Sequence, residues 1–425
     1  MTEAGPQPEA GADVVVPATK GVTVTVLDNL APKKDVRVIT HDATGAVLAD
    51  LKTDAAGKVT LAAAPSMITV LSVRGSDVAP TFAPITYVGV ADGDALLVDT
   101  TDPDATTQRG KLSVSFGTPY AGATSYAVEV GRDCVWSTTT PAEPLLVNLF
   151  SNCVAAQNAV LVRASDGTSD LAYGFAKNQA ASVANGTLQV GPINFTVKGA
   201  TTQKATNLPV DAAVSAQLHS IANGAAFYTN DRTGSLEGAG LSFSTATGFA
   251  EAYQVSVEAS RYANGGTRTK SFVQRTATAA PATEVLPAID FATALPYVTD
   301  VTFAKAVPAR AEVAITSEAP LTTADGAVAE IVWYAGGESD ARWTFVLPPT
   351  TTAFKLPAIP ADAASFIPTA GAVLTRITFV EASQVPGYKE LKALPVSMDG
   401  LRMVQAGTTL PTAGTLRASG WTLGD

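Results

Sequence analysis

One short stretch, Val22-Thr23-Val24-Thr25-Val26, alternates apolar and polar side chains with a period of two. The same alternation returns in Leu112-Ser113-Val114-Ser115-Phe116 and again in Tyr253-Gln254-Val255-Ser256-Val257. Alternation turns one face of a strand toward a core and the other toward water. Gly, Pro, Asn and Asp break the chain between these runs at the spacing of β-sandwich turns. The sequence therefore predicts an all-β fold.

Local signals refine this expectation. The clearest hairpin is predicted over residues 253–273, where Asn264-Gly265-Gly266 supplies the positive φ that tight turns require. Helical periodicity is scarce: one candidate helix covers residues 209–222, and a shorter one covers 361–366. Neither is long enough to organise a fold.

Linker-like stretches at 99–107, 188–200 and 276–297 divide the chain into segments of the size of a β-sandwich. We therefore expect tandem Ig-like or transthyretin-like β-sandwich modules. The predicted organisation is a flexible N-terminal tether (1–18), a first unit (19–100), a second unit (108–195), a third unit (196–290) and a fourth unit (294–425). An alternative merges the second and third units, because the boundary near residue 195 is the weakest.

Composition excludes several classes of protein. The 28 Lys and Arg against 38 Asp and Glu give a net charge of −10, which argues against a nucleic-acid partner. The longest apolar runs are only as long as a strand, for example residues 67–71, so no membrane-spanning helix is predicted.

The first residues, MTEAGPQPEAGAD, are small, acidic and rich in Pro and Gly. Such a segment buries too little surface to order itself. It is typical of a secreted N-terminus, and in bacteria it resembles the tether that follows a lipoprotein cysteine, which would place a lipid anchor outside this sequence. An ordinary frayed terminus is the alternative. We expect an extracytoplasmic protein, at the outer membrane surface or secreted.

The two cysteines, Cys134 and Cys153, are too far apart for a zinc site, which needs closely spaced pairs. A disulfide within the second unit is the preferred interpretation, and two free buried thiols are the alternative. A bridge of this span would stabilise the fold by about 3 kcal/mol in the chain-entropy model. It would also indicate an oxidising compartment.

The segment Thr53-Asp54-Ala55-Ala56-Gly57-Lys58-Val59 reads T-D-x-x-G-x-V. Physically this is a turn in which Asp54 caps its own backbone and Gly57 supplies the left-handed position. Together with the strands before it, the pattern resembles the carboxypeptidase regulatory-like domain, a transthyretin-like seven-stranded sandwich. The resemblance implies an accessory or spacer module of bacterial surface proteins without catalytic residues. The fourth unit loosely resembles a fibronectin type III-like sandwich through residues 331–334, 342–346 and 356–357.

Catalytic signatures are scarce. The two histidines, His41 and His219, are far apart in sequence, and we interpret both as surface or turn residues. No nucleophile elbow, zinc-protease motif or phosphate-binding loop occurs in the sequence. We predict that the chain is not an enzyme. A hydrolase built on a pair of carboxylates is the alternative that remains open.

Two clusters are candidate binding sites. The first is a set of aspartates at the end of the first unit, which could hold Ca²⁺ through carboxylate oxygens: Asp92, Asp94, Asp99, Asp102 and Asp104. A solvated linker is the alternative, and no other cofactor is predicted. The second cluster is Trp333, Tyr334 and Trp343, which could bind a ligand such as a sugar. Because neighbours in a strand point to opposite faces, either Trp333 or Tyr334 should lie in the core.

The sequence thus predicts a non-catalytic bacterial surface protein with a structural, adhesive or scaffolding role. Its partners would be proteins or glycans at the cell surface, bound by loops or edge strands. A carbohydrate-binding or substrate-recognition module is the alternative.

Overall fold

A computed structural model describes residues 21–28, 31–76, 79–100, 108–130, 134–139, 144–150, 157–180, 187–262, 267–278, 285–305, 310–336, 339–397, 400–401 and 414–423. Strands dominate these residues, so the predicted all-β class is confirmed. None of the helices in the described ranges is long and apolar enough to cross a membrane.

The strands of the first two units are short to medium in length. In the first unit they are β1 (Val22–Asp28), β2 (Ala31–Pro32), β3 (Arg37–His41), β4 (Val47–Lys52), β5 (Lys58–Leu61), β6 (Met67–Ser76), β7 (Ala79–Val88) and β8 (Ala95–Asp99). In the second they are β9 (Gln108–Phe116), β10 (Ser125–Glu129), β11 (Val135–Thr138), β12 (Leu145–Phe150), β13 (Gln157–Ser165), β14 (Asp170–Ala180) and β15 (Thr187–Ile193).

The last two units contain the remaining strands, and their described residues also include short helices. The third unit contains β16 (Thr196–Val197), β17 (Gly199–Gln203), β18 (Ala205–Thr206), β19 (Ala213–Ala222), β20 (Ala225–Thr233), β21 (Leu241–Thr245), β22 (Ala252–Tyr262), β23 (Thr267–Thr278) and β24 (Ile289–Asp290). A 3₁₀ turn at Phe291–Thr293 leads on to β25 (Val298–Ala304), β26 (Glu312–Ser317), β27 (Gly326–Gly336), β28 (Ser339–Leu347), β29 (Ala353–Lys355), a 3₁₀ helix (Ala361–Phe366), β30 (Val373–Ala382), α1 (Tyr388–Lys392), β31 (Val396–Ser397), β32 (Gly400–Leu401) and β33 (Thr415–Leu423).

One sheet of twelve strands runs through three of the four units. Its order is β20-β19-β22-β23-β33-β30-β27-β28-β7-β6-β3-β4, and we call it the long sheet. β33 lies between β23 of the third unit and β30 of the fourth, antiparallel to both. β28 of the fourth unit pairs in parallel with β7 of the first.

The first unit is closed by a second sheet with the order β2-β1-β8-β31-β32. β5 also pairs with β1, at residues 22–25. Two strands of this sheet, β31 and β32, belong to the fourth unit. The core beneath is shared as well: Val24, Val70 and Tyr87 pack in one cluster with Val346 and Val380. The strand pairing of the first, third and fourth units therefore does not divide them into a tandem row of separate sandwiches. The modular division stays a prediction.

The second unit forms two sheets, β11-β10-β13-β14 and β12-β9-β15, around its own core, and β16 of the third unit pairs with β14 at the edge of the first of them. It packs against the third unit through a small aromatic cluster. Phe249 contacts Phe175 of the second unit at 5.3 Å between ring centroids and Phe227 of the third unit at 4.9 Å.

Several local predictions can be compared directly with the structure. β22 and β23 form the predicted hairpin, in register from Ala252–Thr278 to Tyr262–Arg268, and residues 361–366 are helical. The predicted helix at 209–222 is wrong, because this segment contains β19. Its residues 218–222 are buried on both faces, and such a strand loses the alternation that distinguishes it from a buried helix.

The turn after β4 has the predicted geometry. Asp54 Oδ1 accepts hydrogen bonds from the Ala56 and Lys58 amides at 2.8 and 2.9 Å. Gly57 has a φ of 70°, which favours glycine.

Candidate functional site at the junction of the first and fourth units

The contact between the first and fourth units, which we call the junction, begins at the parallel pair β7–β28. Its register joins Thr344 to Ile85, Phe345 to Thr86 and Val346 to Tyr87. Because β7 also pairs with β6 and β28 with β27, both strands are bonded along both edges. The first unit is thus held to the fourth by backbone hydrogen bonds rather than by a linker.

A chain of polar side chains crosses the junction inside the long sheet. His41 Nε2 lies 2.9 Å from Thr69 Oγ1, and Thr69 Oγ1 lies 2.8 Å from Thr86 Oγ1. The indole Nε1 of Trp343 donates to Thr86 Oγ1 at 2.8 Å. All four side chains are buried. Each hydroxyl forms a hydrogen bond with a neighbouring polar group whose burial without a partner would be costly. This series of hydrogen bonds therefore fixes how β3, β6, β7 and β28 align.

The sequence predicts His41 to be a surface or turn residue; it does end β3 just before a turn, but a surface position is wrong, because the residue is fully buried. Burial, and to a smaller extent the nearby Arg310 guanidinium, lowers the pKa of His41 from 6.5 to about 4. Arg310 reaches this position from the fourth unit and donates to the carbonyl oxygens of Thr44 and Gly45 at 2.5 and 3.3 Å. His219 is also buried, in β19, contrary to expectation.

An ion pair buried in the shared core forms the second part of the junction. Lys392 Nζ, at the end of α1, contacts Asp94 Oδ2, which precedes β8, and both side chains are at most 3% exposed. Lys392 Nζ also donates to the Gly89 carbonyl at 3.1 Å and lies 4.6 Å from the centroid of the Tyr388 ring. Asp94 Oδ2 accepts a further hydrogen bond from the Ala91 amide at 2.8 Å. Each charge thus has several partners, as a buried ion needs.

Tyr388 links the ion pair to the parallel strands. Its hydroxyl oxygen lies 2.5 Å from the carbonyl oxygen of Val88, at the end of β7, and 2.9 Å from that of Val346, in β28, so the two carbonyls share its single proton. Burial raises the pKa of Tyr388 well above its ordinary value, so the hydroxyl remains a neutral donor.

Contacts at the rim complete the junction. Arg37 of the first unit bridges Asp50, in the same unit, and Asp362 of the fourth, at 3.2 Å to Asp362. The rings of Phe82 and Phe366 meet edge to face at 5.2 Å between centroids. The junction therefore combines an ion pair and a ring contact at its rim with a buried chain of polar side chains and a buried ion pair inside.

The predicted calcium residues are only partly within the described chain. Asp102 and Asp104 lie outside the described residues. Asp92 is exposed and accepts a hydrogen bond from the Ala64 amide at 2.7 Å, Asp94 is engaged by Lys392, and Asp99 is buried. Among the described residues no group of three His, Cys, Asp or Glu is arranged to hold a metal ion.

The aromatic cluster splits as strand geometry requires. Trp333 and Trp343 are buried in the core of the fourth unit, whereas Tyr334 is 74% exposed. The expected alternation between Trp333 and Tyr334 is confirmed, but a ligand platform of all three rings is not formed, since two of them are in the core.

The predicted disulfide involves one described residue. Cys134 is buried in the core of the second unit, 3% exposed, whereas Cys153 lies outside the described residues. The bridge stays a prediction.

An open cavity of about 340 Å³ lies in the third unit beside Leu208, Val210 and Leu236. Among the described residues that line this cavity, Glu237 is the one carboxylate, whereas the hydrolase alternative requires a pair.

Sequence reasoning missed the residues that make the junction. The segment Tyr388–Lys392 is short and charged, and its only local signal was Leu391 among polar neighbours. Nothing in the linear sequence connects Lys392 with Asp94 or Arg310 with the turn after His41.

No protein-family model matches the chain, and no curated protein matches it. Among solved structures, the chain is similar to the Bacillus anthracis TIE protein at 8% sequence identity and a TM-score of 0.16. The alignment covers 64% of this chain and 50% of the other, so this chain spans about half the length of the structure it matches. This likeness is too slight to indicate a common fold.

Proposed function

We propose that the chain is a non-catalytic structural protein of the bacterial cell surface, in which fused β units form a stiff scaffold. The observation that carries this proposal is the long sheet, whose hydrogen bonds continue through the first, third and fourth units. Bending such a body between units requires breaking strand pairs and the buried contacts of the junction, whereas separate modules bend at their linkers.

Charge and composition support a role at a surface. The net charge of −10 keeps the chain soluble and disfavours nucleic acid. We place the protein outside the cytoplasm, at the outer membrane surface or secreted, where a bridge between Cys134 and Cys153 would persist. Its partners in this proposal are proteins or glycans of that surface.

Stiffness is tested by unfolding. In urea, the first, third and fourth units should unfold together in one transition. The second unit, which has its own core, can unfold in a separate transition. Hydrogen exchange with peptide-level mass analysis assigns each transition to its unit. Separate transitions for the first and fourth units would contradict the proposal.

Location is tested on cells that produce the protein. Protease added to intact cells should cleave the chain, whereas a cytoplasmic control protein should survive. Survival of the chain in intact cells, together with its recovery in the cytoplasmic fraction, would contradict a surface role.

A further inference from the structure

The pair of Lys392 and Asp94 places an amine beside a carboxyl group in the interior of the protein. Lys392 Nζ contacts Asp94 Oδ2, and the two side chains are 3% and 2% exposed. A carboxyl carbon lies only about 1.2 Å from its oxygens. A nitrogen in contact with one oxygen is therefore close to the ~3–3.5 Å from the carbon at which reacting atoms are aligned for bond formation. An amine and a carboxyl group are the two groups from which an amide is made.

The neighbours of this pair exclude water from it. Leu391 directly precedes Lys392, and Leu96 follows Asp94 by two positions; both belong to the buried core that the first and fourth units share. The centroid of the Tyr388 ring lies 4.6 Å from Lys392 Nζ. Condensation of an amine with a carboxylic acid releases water, so a site that holds little water disfavours the reverse reaction, hydrolysis.

The hydrogen bonds around the pair suit an amide. The Ala91 amide donates to Asp94 Oδ2 at 2.8 Å, and Lys392 Nζ donates to the Gly89 carbonyl at 3.1 Å. A secondary amide has one N–H to donate and one carbonyl oxygen to accept, and each of these backbone groups matches one of them. The ammonium instead brings three donors into the core. Its acceptors among the described residues are the Asp94 carboxylate and the Gly89 carbonyl.

The Ala91 amide has a second effect. A tetrahedral intermediate forms when an amine adds to a carboxyl carbon, and negative charge then develops on a carboxyl oxygen. Because the Ala91 N–H already points at Asp94 Oδ2, it is placed to stabilise that charge.

We propose that Lys392 and Asp94 condense to an amide that joins the first unit covalently to the fourth. In the core a proton passes from the ammonium to the carboxylate, which leaves a neutral amine and a carboxylic acid. Nζ then adds to Cγ, so the Nζ–Cγ bond forms, and one Cγ–O bond breaks. The departing oxygen leaves as water and carries both protons that the nitrogen has lost. No oxidant, reductant or further reactant is consumed.

The amide would reinforce the junction, where the proposed scaffold needs to resist bending. Asp94 and Lys392 are 298 positions apart, and they lie in the first and fourth units. Strand pairs such as β7 with β28 open in denaturant, whereas an amide does not. The purpose of the bond rests on the proposed scaffold role, but its detection does not. The bond can be absent while the unfolding and location tests succeed, and it can be present while they fail.

Intact-mass analysis of the whole chain, in denaturant with a reductant, tests the bond. The chain should weigh less than its sequence by one water molecule, either at the first measurement or after several days in neutral buffer. Trypsin does not cut after an acylated lysine, so the digest should contain one branched peptide with both Lys392 and Asp94. Chain that still has the full mass holds the ion pair, and variants of the pair are compared with that form. A mass that keeps its full value throughout would overturn the proposal.

Two controls separate this amide from other losses of water. Asp92 precedes a glycine and can close a succinimide ring on its own backbone with the same change in mass. Mild alkali reopens that ring and leaves the amide intact. Lys392→Arg keeps a cation but removes the primary amine, so it should retain the full mass. Lys355→Arg, in the exposed pair with Glu312, is the matched control and should lose water like the native chain.

The outcomes of these controls decide the assignment. A water loss that persists in folded Lys392→Arg, or that alkali reverses in the native chain, would overturn the proposal. Circular dichroism shows whether each variant is folded. If Lys392→Arg does not fold, the branched peptide of the native chain decides alone: its presence supports the bond, and its absence refutes it.

Discussion

The buried pair of Asp94 and Lys392 permits a sharp test of how the junction is stabilised. Lys392→Met keeps most of the apolar stem and removes the ammonium. The variant loses the contact with Asp94, the 3.1 Å hydrogen bond to Gly89 and the position over Tyr388. Removing one partner leaves a charge in the core with little water to stabilise it.

The expected loss in the free energy of unfolding is about 3–5 kcal/mol, the usual effect of breaking one side of a buried pair. Much of this loss is the penalty of the stranded carboxylate rather than the strength of the pair. Adding Asp94→Asn to Lys392→Met removes that charge and keeps an acceptor for the Ala91 amide. The double variant should therefore lose only about 1–2 kcal/mol, which is less than the single variant.

Urea unfolding followed by tryptophan fluorescence measures these differences, and hydrogen exchange at β7 and β28 locates them. Lys355→Met breaks the exposed pair with Glu312 and should leave the midpoint unchanged. A loss below about 1 kcal/mol in Lys392→Met, or a double variant less stable than the single one, would refute the reasoning.

The remaining predictions concern pH and the cysteines. The pKa of His41 is about 4 in the folded chain against 6.5 in the unfolded chain. The free energy of unfolding that the neutral ring preserves is therefore fully present above pH 6.5 and is lost as the pH falls toward 4. This loss in the free energy of unfolding is up to about 3 kcal/mol. In His41→Gln the urea midpoint should therefore fall less between pH 7 and pH 5 than in the native chain. An equal fall in both proteins would show that His41 is not responsible. Thiol titration in denaturant should find no free thiol at Cys134 and Cys153 until a reductant is added, and reduction should lower stability by about 3 kcal/mol. Two thiols in the untreated chain would make the disulfide prediction wrong.

Local features of the fold could be predicted because their signals are local. The alternation in residues 22–26 produces β1, whose valines are buried while its threonines are half-exposed. The turn at Asp54 and Gly57, the hairpin of β22 and β23, and the opposite faces of Trp333 and Tyr334 follow from neighbouring residues alone.

The candidate site could not be predicted, because it depends on which distant strands meet. β7 and β28 carry apolar residues that suit many partners, and nothing local selects their parallel pairing. Residues 218–222 lose their alternation where β19 is covered on both faces, which is why the segment resembled a helix. The burial of His41 has no local signal, because its hydrogen-bond partner, Thr69, lies on another strand.

The position of β33 has a consequence for biosynthesis. This strand, residues 415–423, lies between β23 and β30, which are both made earlier. Until it leaves the ribosome, each of those strands has an unpaired edge, and such edges invite association between nascent chains. A growing chain would therefore need a chaperone, or transport before folding, to protect these edges until β33 is available.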